Sequence, residues 1–177
     1  SAADYSVDVL ELAKGQQVVS QAGKFTSASQ VLVAKNGETA AAATITITTG
    51  SSADIAAGKG TQQEISVAAG SDGEISLQDV ASAINGGDYG VKASLISDKT
   101  GSVRLSLTGE DTGAASAFKI DVAATAGTAD AALSNLNFDP SGTGSNYTVN
   151  SAAQDSLMKL NGVEITRATN TISDAVE

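Results

Sequence analysis

Ala43-Thr44-Ile45-Thr46-Ile47-Thr48 alternates apolar residues with threonine at a strict period of two. That is the pattern of a β-strand with one face against a core and the other toward solvent. The same alternation recurs on both sides of it. Ile65-Ser66-Val67, Val91-Lys92-Ala93-Ser94-Leu95, Val103-Arg104-Leu105-Ser106-Leu107 and Phe118-Lys119-Ile120-Asp121-Val122 all read as strands. Nearer the start, Tyr5, Val7 and Val9 alternate with Ser6 and Asp8, and Leu10 and Leu12 then change parity, as a β-bulge causes. Turn chemistry separates these runs. Asp98-Lys99-Thr100-Gly101 has hairpin-loop length, and Asn161-Gly162 between Leu160 and Val163 is a strong two-residue hairpin signal.

One helix stands out among the strands. Ser76 is placed to cap it, with Asp79 as the acid of a capping box, while Leu77, Val80, Ala81 and Ile84 share one apolar face. Asn85-Gly86-Gly87 is expected to stop it through the left-handed backbone that glycine tolerates. A weaker helical pattern runs from Ala129 to Leu136, and another begins at Ser173. The fold class expected is mainly β with one or two short helices (α+β), in two small β-rich domains, one inserted into the other.

Two stretches of small residues suggest the crossings between those domains: the alanine run from Thr39 to Ala43, and Pro140-Ser141-Gly142-Thr143-Gly144-Ser145. Residues 1–40 with 138–177 are then a discontinuous β-rich head domain. Residues 41–137 are the inserted β-rich domain, with the helix at about 77–85.

Composition narrows the chemistry. The chain has no His, Cys or Trp and only three Phe and three Tyr. It therefore lacks the side chain that most often serves as general base or metal ligand, and it has no thiolate nucleophile, structural zinc cage or disulfide. Twenty acidic against ten basic residues give a net charge of −10, which repels nucleic-acid phosphate and anionic lipid. No apolar run approaches the ~20 residues of a membrane span, and Ser1-Ala2-Ala3-Asp4 has no basic region of a cleavable signal peptide. The expectation is a structural or binding module of extracellular type, not an enzyme, with no cofactor, no nucleic acid and no membrane insertion. The large apolar residues are expected to be used mostly by the cores, leaving few for a strong exposed patch.

Several motifs imitate chemistry. Ser156-Leu157-Met158-Lys159 and Lys99-Thr100-Gly101 have the wording of the SxxK and KTG boxes of serine β-lactamases. Their order is reversed, the box between them is absent, and Ser156 lies in a strand leading into the Asn161-Gly162 turn. Gly58-Lys59-Gly60-Thr61 has phosphate-loop residue types without the spacing or the strand-to-helix setting. Asp72-Gly73-Glu74 and Glu110-Asp111 lack the carboxylate ladder of a calcium loop and read as solvated turns. No catalytic, cofactor-binding or metal residue is assigned, and the subunit-interface residues are left open.

Three segments, taken in order, resemble one family, the bacterial flagellar filament cap proteins of the hook-associated group. The first is Asp4-Tyr5-Ser6-Val7-Asp8-Val9-Leu10-Glu11-Leu12-Ala13, followed by Gln16-Gln17. The second runs from Ile75 to Asn85, through Gly90-Val91-Lys92-Ala93-Ser94, to Arg104-Leu105-Ser106-Leu107-Thr108 and Gly113-Ala114-Ala115. The third comprises Ala152-Ala153-Gln154-Asp155, Leu160 to Arg167, and Asn170 to Val176. The stretch from Gly15 to Glu74 and the family's long terminal helices have no counterpart, so the resemblance is to the head portion. It implies two β-rich head domains, one inserted in the other, in a plate at the distal tip of the flagellum that promotes flagellin folding and polymerisation. It also implies export without a cleaved signal, self-association into a ring in the full-length protein, flagellin subunits as partners, and in some members adhesion to host mucus glycoproteins. A secreted adhesin, or an outer domain of flagellin or a hook-junction protein, is the alternative. Aromatic platforms for sugar rings are scarce here, which disfavours a carbohydrate-binding adhesin.

Overall fold

A computed structural model of the 177-residue chain describes residues 4–142 and 145–175. Among these, the strands in chain order are β1 (Val7–Glu11), β2 (Gln17–Ser20), β3 (Val31–Ala34), β4 (Ala42–Gly50), β5 (Thr61–Ala68), β6 (Ile75–Ser76) and β7 (Val91–Ser97). They continue as β8 (Val103–Gly109), β9 (Ala117–Ala126), β10 (Thr128–Ala129), β11 (Tyr147–Ser151), β12 (Ser156–Leu160) and β13 (Val163–Arg167). Two short helices, α1 (Ser52–Ala56) and α2 (Leu77–Asn85), and 3-10 turns at Ala114–Ser116 and Ala131–Leu136 complete a mainly β fold.

The alternating run at 43–48 forms the centre of β4, the middle strand of an antiparallel β5-β4-β9 sheet. Register places Ile65, Ile45 and Val122 in one row across it, and Val67, Ala43 and Ala124 in another. Ile45 and Ile47 are fully buried while Thr44 and Thr46 are half-buried, as a period of two requires. A second sheet, β11-β2-β8-β7, sets Val18 between Val149 and Leu107. A third, β10-β3-β6, pairs Val33 with Ala129 and Ile75.

α2 buries Leu77, Val80, Ala81 and Ile84, the four residues of its apolar stripe. Its capping box is formed in both directions: Asp79 N–H donates to Ser76 Oγ at 3.3 Å and Ser76 N–H donates to Asp79 Oδ2 at 2.8 Å. The stop differs from the expected left-handed cap, because Gly86 is right-handed at φ −74°. Two other features end the helix. Asn85 clamps Ala93 of β7, accepting from its N–H at 2.9 Å and donating to its carbonyl at 2.8 Å. Gly87 leaves room for the Tyr89 ring, which lies 2.6 Å from where a Cβ would stand. The weaker pattern at 129–136 is a 3-10 helix, Ala131–Leu136, capped by the Asp130 side chain. Its buried Leu133 and Leu136 are one 3-10 turn apart, which accounts for the helical look of the sequence. Ser173 to Ala175 are bends and not a helix, and Val176 and Glu177 lie outside the described residues.

The sheets do not follow a division at 41 and 137. β2 pairs with β8, and β3 pairs with β6 and β10, so strands from the first forty residues are built into the middle of the chain. One buried cluster draws on Val18, Phe25, Leu32 and Val33 as well as on Phe138 and Tyr147. The alanine run marks no crossing because small residues are needed there for packing: Ala41 and Ala43 are buried at 3% and 2% exposure. β1, β12 and β13 form a sheet of their own and contribute no residue to that cluster.

Candidate interaction surface

The terminal sheet is built from both ends of the chain. β12 is central, pairing with β1 and β13, both antiparallel. Its hairpin turns through Asn161 (φ 50°) and Gly162 (φ 85°), the two left-handed positions of a type I′ turn. The Asn161 side chain also accepts from Ser6 N–H at 2.8 Å, while Asn161 N–H donates to the Ser6 carbonyl at 2.9 Å. At the other end Asn170 clamps Ala13, accepting from its N–H at 2.8 Å and donating to its carbonyl at 3.0 Å. Arg167 closes the C-terminal bend on Asp174 through Nε and Nη2, at 3.2 and 3.1 Å. That hydrogen-bonded pair holds the Asp174 carboxyl below its ordinary range.

Register decides what this sheet presents. Val7, Leu160 and Val163 form one cross-strand row, and Val9, Met158 and Ile165 the next. Residues directly opposite share a face, and the two rows are two residues apart along each strand, so all six point the same way. The opposite face carries Asp8, Lys159 and Glu164. The bulge expected at Leu10 is present as a register shift between Val9 and Glu11. Leu12 lines the same shallow depression as Val9, Met158 and Ile172, with Glu11, Ser156 and Asn170 also in its wall and a volume of about 220 Å3. Val7, Val9 and Val163 are 51%, 61% and 65% exposed. The expectation that few large apolar residues would be left outside the cores is therefore corrected: among the described residues Val7, Val9, Leu10, Leu12 and Val163, in or beside this sheet, are all at least half exposed.

The imitation motifs take structural places. Ser156 is buried, with its hydroxyl 3.0 Å from the carbonyl oxygens of both Arg167 and Thr169. Lys159 lies three residues on and hence on the other face, 3.6 Å from Glu164. Lys99-Thr100-Gly101 belongs to the β7–β8 loop, where Asp98 Oδ1 accepts from the amides of Thr100 and Ser102. The Thr100 hydroxyl, and then its amide, hold the Asp98 carboxyl below its usual value. Gly58-Lys59-Gly60-Thr61 joins a helix to a strand, the reverse of a phosphate loop, and Gly60 packs where a Cβ would meet Thr48. Asp72 accepts from Glu74 N–H at 3.0 Å in a turn, and Glu110 pairs with Lys92 at 3.5 Å. Among the described residues no three His, Cys, Asp or Glu side chains gather to hold a metal, and no helix is long and apolar enough to cross a membrane. A polar depression of about 250 Å3 is lined by Lys119, Asp121 and Asp139, the lysine 3.1 and 3.7 Å from the two carboxylates. Asp121 in the first place keeps the Lys119 amine charged to higher pH than usual.

No family model matches the chain. Flagellar hook-associated protein 2 of Escherichia coli K12 is 37% identical over 99 residues, which are 56% of this chain and 20% of that protein. The matched part thus spans about a fifth of the relative's length. The flagellar cap protein FliD of Escherichia coli, solved as its D1-D2-D3 domains, superposes with a TM-score of 0.75 at 29% identity, over 98% of this chain and 45% of that one. The D2-D3 domains of the same protein give 0.75 at 28% identity, covering 77% of that structure. In sequence and in architecture the chain is similar to the D2-D3 head of flagellar cap proteins, the family that its three segments resemble.

Proposed function

We propose that the chain is the head plate of a flagellar filament cap, a structural module at the distal tip that promotes the folding and polymerisation of flagellin. The observation that carries this reading is the agreement over 98% of the chain with the D2-D3 head of a flagellar cap protein. On this reading the parent protein is extracellular, is exported without a cleaved signal, and closes into a ring over the growing end, with flagellin as its client. The module does no catalysis. Its contribution is a set of rigid antiparallel sheets whose edges and faces meet neighbouring subunits. The domain layout belongs to the same proposal: one unit of residues ~14–151 holding the common core, and the terminal sheet as a second.

Deleting the parent gene tests the function. The expected result is unpolymerised flagellin in the medium and short or absent filaments, restored by the intact gene but not by one lacking this head. Filaments of normal length in the deletion strain would overturn the reading.

A further inference from the structure

Asparagine followed by glycine occurs three times, at Asn36-Gly37, Asn85-Gly86 and Asn161-Gly162, and the fold ties the three side chains to different degrees. The pair is chemically weak, because glycine has no Cβ to shield its amide nitrogen from the asparagine Cγ. Asn85 is tied most firmly. Its carboxamide accepts from Ala93 N–H at 2.9 Å and donates to the Ala93 carbonyl at 2.8 Å, while Gly86 N–H donates to the Ala83 carbonyl at 3.2 Å. Asn161 has one tie, the bond from Ser6 N–H to its Oδ1 at 2.8 Å. Asn36 is exposed in the turn that follows β3, and among the described residues neither its carboxamide nor the Gly37 N–H has a hydrogen-bond partner. Its backbone closes that turn through two bonds of 3.0 Å with Thr39, and Gly37 stands in the left-handed region at φ 59° with no neighbour within 4 Å of where a Cβ would lie.

We propose that Asn36 is a site of spontaneous deamidation in the folded chain, and that it converts before Asn161 and Asn85. The Gly37 nitrogen gives up its proton to solvent base and bonds to Asn36 Cγ, and the bond from Cγ to Nδ2 breaks as that nitrogen leaves as ammonia. Water then opens the resulting succinimide at either carbonyl. One product is aspartate, and the other is isoaspartate, in which the chain runs on through the former side-chain carboxyl. Water is the only co-reactant. Each conversion makes the net charge of −10 more negative by one, and isoaspartate adds a methylene to the backbone of the turn that Asn36 and Thr39 close. At Asn85 the same reaction must first break the clamp on Ala93 and free the Gly86 N–H, and at Asn161 it must release Ser6. Each tie adds to the barrier, so the order of conversion follows the number of ties. The inference does not depend on the cap reading.

Incubating the whole chain at mildly alkaline pH and physiological temperature, with peptide mapping by mass spectrometry at intervals, tests it. Asn36 should gain the mass of amide-to-acid conversion at least about tenfold faster than Asn85, with Asn161 between them. In strong urea, where no tie survives, the three sites should convert at similar rates. Ser6→Pro removes the N–H that holds Asn161, just before β1 where proline is tolerated, and should speed conversion of Asn161 while leaving Asn36 unchanged. Asn36→Gln should abolish the first acidic band on isoelectric focusing, because the longer side chain closes its ring far more slowly. Circular dichroism confirms that each variant is folded. An Asn36 no faster than the other two, the same ratios in the folded chain as in urea, no acceleration in Ser6→Pro, or an acidic band that persists in Asn36→Gln would each overturn the proposal.

Discussion

Replacing Gln16 with alanine should cost this fold far more than its position in a linker between two strands suggests. Gln16 is 2% exposed, and its side chain stands in for a neighbouring strand: Nε2 donates to the Phe118 carbonyl at 2.9 Å, and Oε1 accepts from Phe118 N–H at 3.3 Å. Phe118 begins the inner part of β9 and is itself fully buried, so truncation orphans one donor and one acceptor away from water. Each orphaned group costs about 1–3 kcal/mol, and a water entering the vacated space recovers part of that, leaving a loss of about 3 kcal/mol. In a chain of this length each kcal/mol moves Tm by about 2–4 °C, so the midpoint should fall by roughly 6–12 °C.

Thermal and urea denaturation followed by circular dichroism measures this, with Gln17→Ala as the matched control. Gln17 is exposed, and its loss should stay within about 0.5 kcal/mol. Gln16→Glu adds a sign. Its charged form sets a carboxylate oxygen against the Phe118 carbonyl in a buried site, so the folded state raises the pKa of the new acid. Stability is then present below the unfolded value of ~4.3 and lost as pH rises. The variant should be nearest wild type at pH ~4 and at least as damaged as Gln16→Ala at pH ~7. A Gln16→Ala cost no larger than that of Gln17→Ala, or a Glu variant insensitive to pH, would refute the clamp.

Tyr147 is buried against Phe138, ring centroids 5.5 Å apart, and its hydroxyl donates to the Leu136 carbonyl at 3.1 Å. Burial raises its pKa above the ordinary phenol value, so the stability it contributes is present below pH ~10 and lost as pH rises further. Tyr147→Phe should cost about 1 kcal/mol at neutral pH and flatten the alkaline limb of the stability profile; an unchanged limb argues against it. For the domain layout, residues 41–137 alone lack β2, β3 and β11 and should give a disordered NMR spectrum, while residues 14–151 should unfold in one cooperative step. A well-dispersed spectrum from the shorter piece would restore the inserted domain.

How far the sequence was legible depended on how locally each feature is determined. The run at 43–48, the stripe and capping box of α2, the bulge at Leu10 and the Asn161-Gly162 turn are each set within a few residues, and each is where the pattern put it. The domain boundaries were not legible because they depend on which strands pair. Nothing in Gln17-Val18-Val19-Ser20 says that its partners lie at 106–108 and 147–151. The apolar face was within reach and was missed. The two-residue turn alone fixes Leu160 opposite Val163 and Met158 opposite Ile165, so four of the six residues follow from register. Alternation reports only that the two faces of a strand differ, not that one of them is buried.

A chain with no cysteine must tie its distant segments by other means, and here amide side chains do it. Gln16 reaches Phe118 across 102 residues, Asn170 reaches Ala13 across 157, and Asn161 reaches Ser6 across 155. Gln16 and Asn170 each offer one donor and one acceptor in the spacing of a peptide group, so a single residue can satisfy both backbone groups of its partner where no strand is available to do so. Asn161 divides the same task between its side-chain oxygen and its own backbone N–H. Such ties need no oxidant and form only when the surrounding packing has placed both partners. For a protein proposed to be exported and to act outside the cell, that coupling matters: its distant segments are tied without a disulfide. The terminal sheet, held to the rest by the Lys14–Gln154 bridge, by Asp155 on Ala114 and by the Thr112 hydroxyl on the Ala168 carbonyl, is accordingly the part of the fold expected to open first.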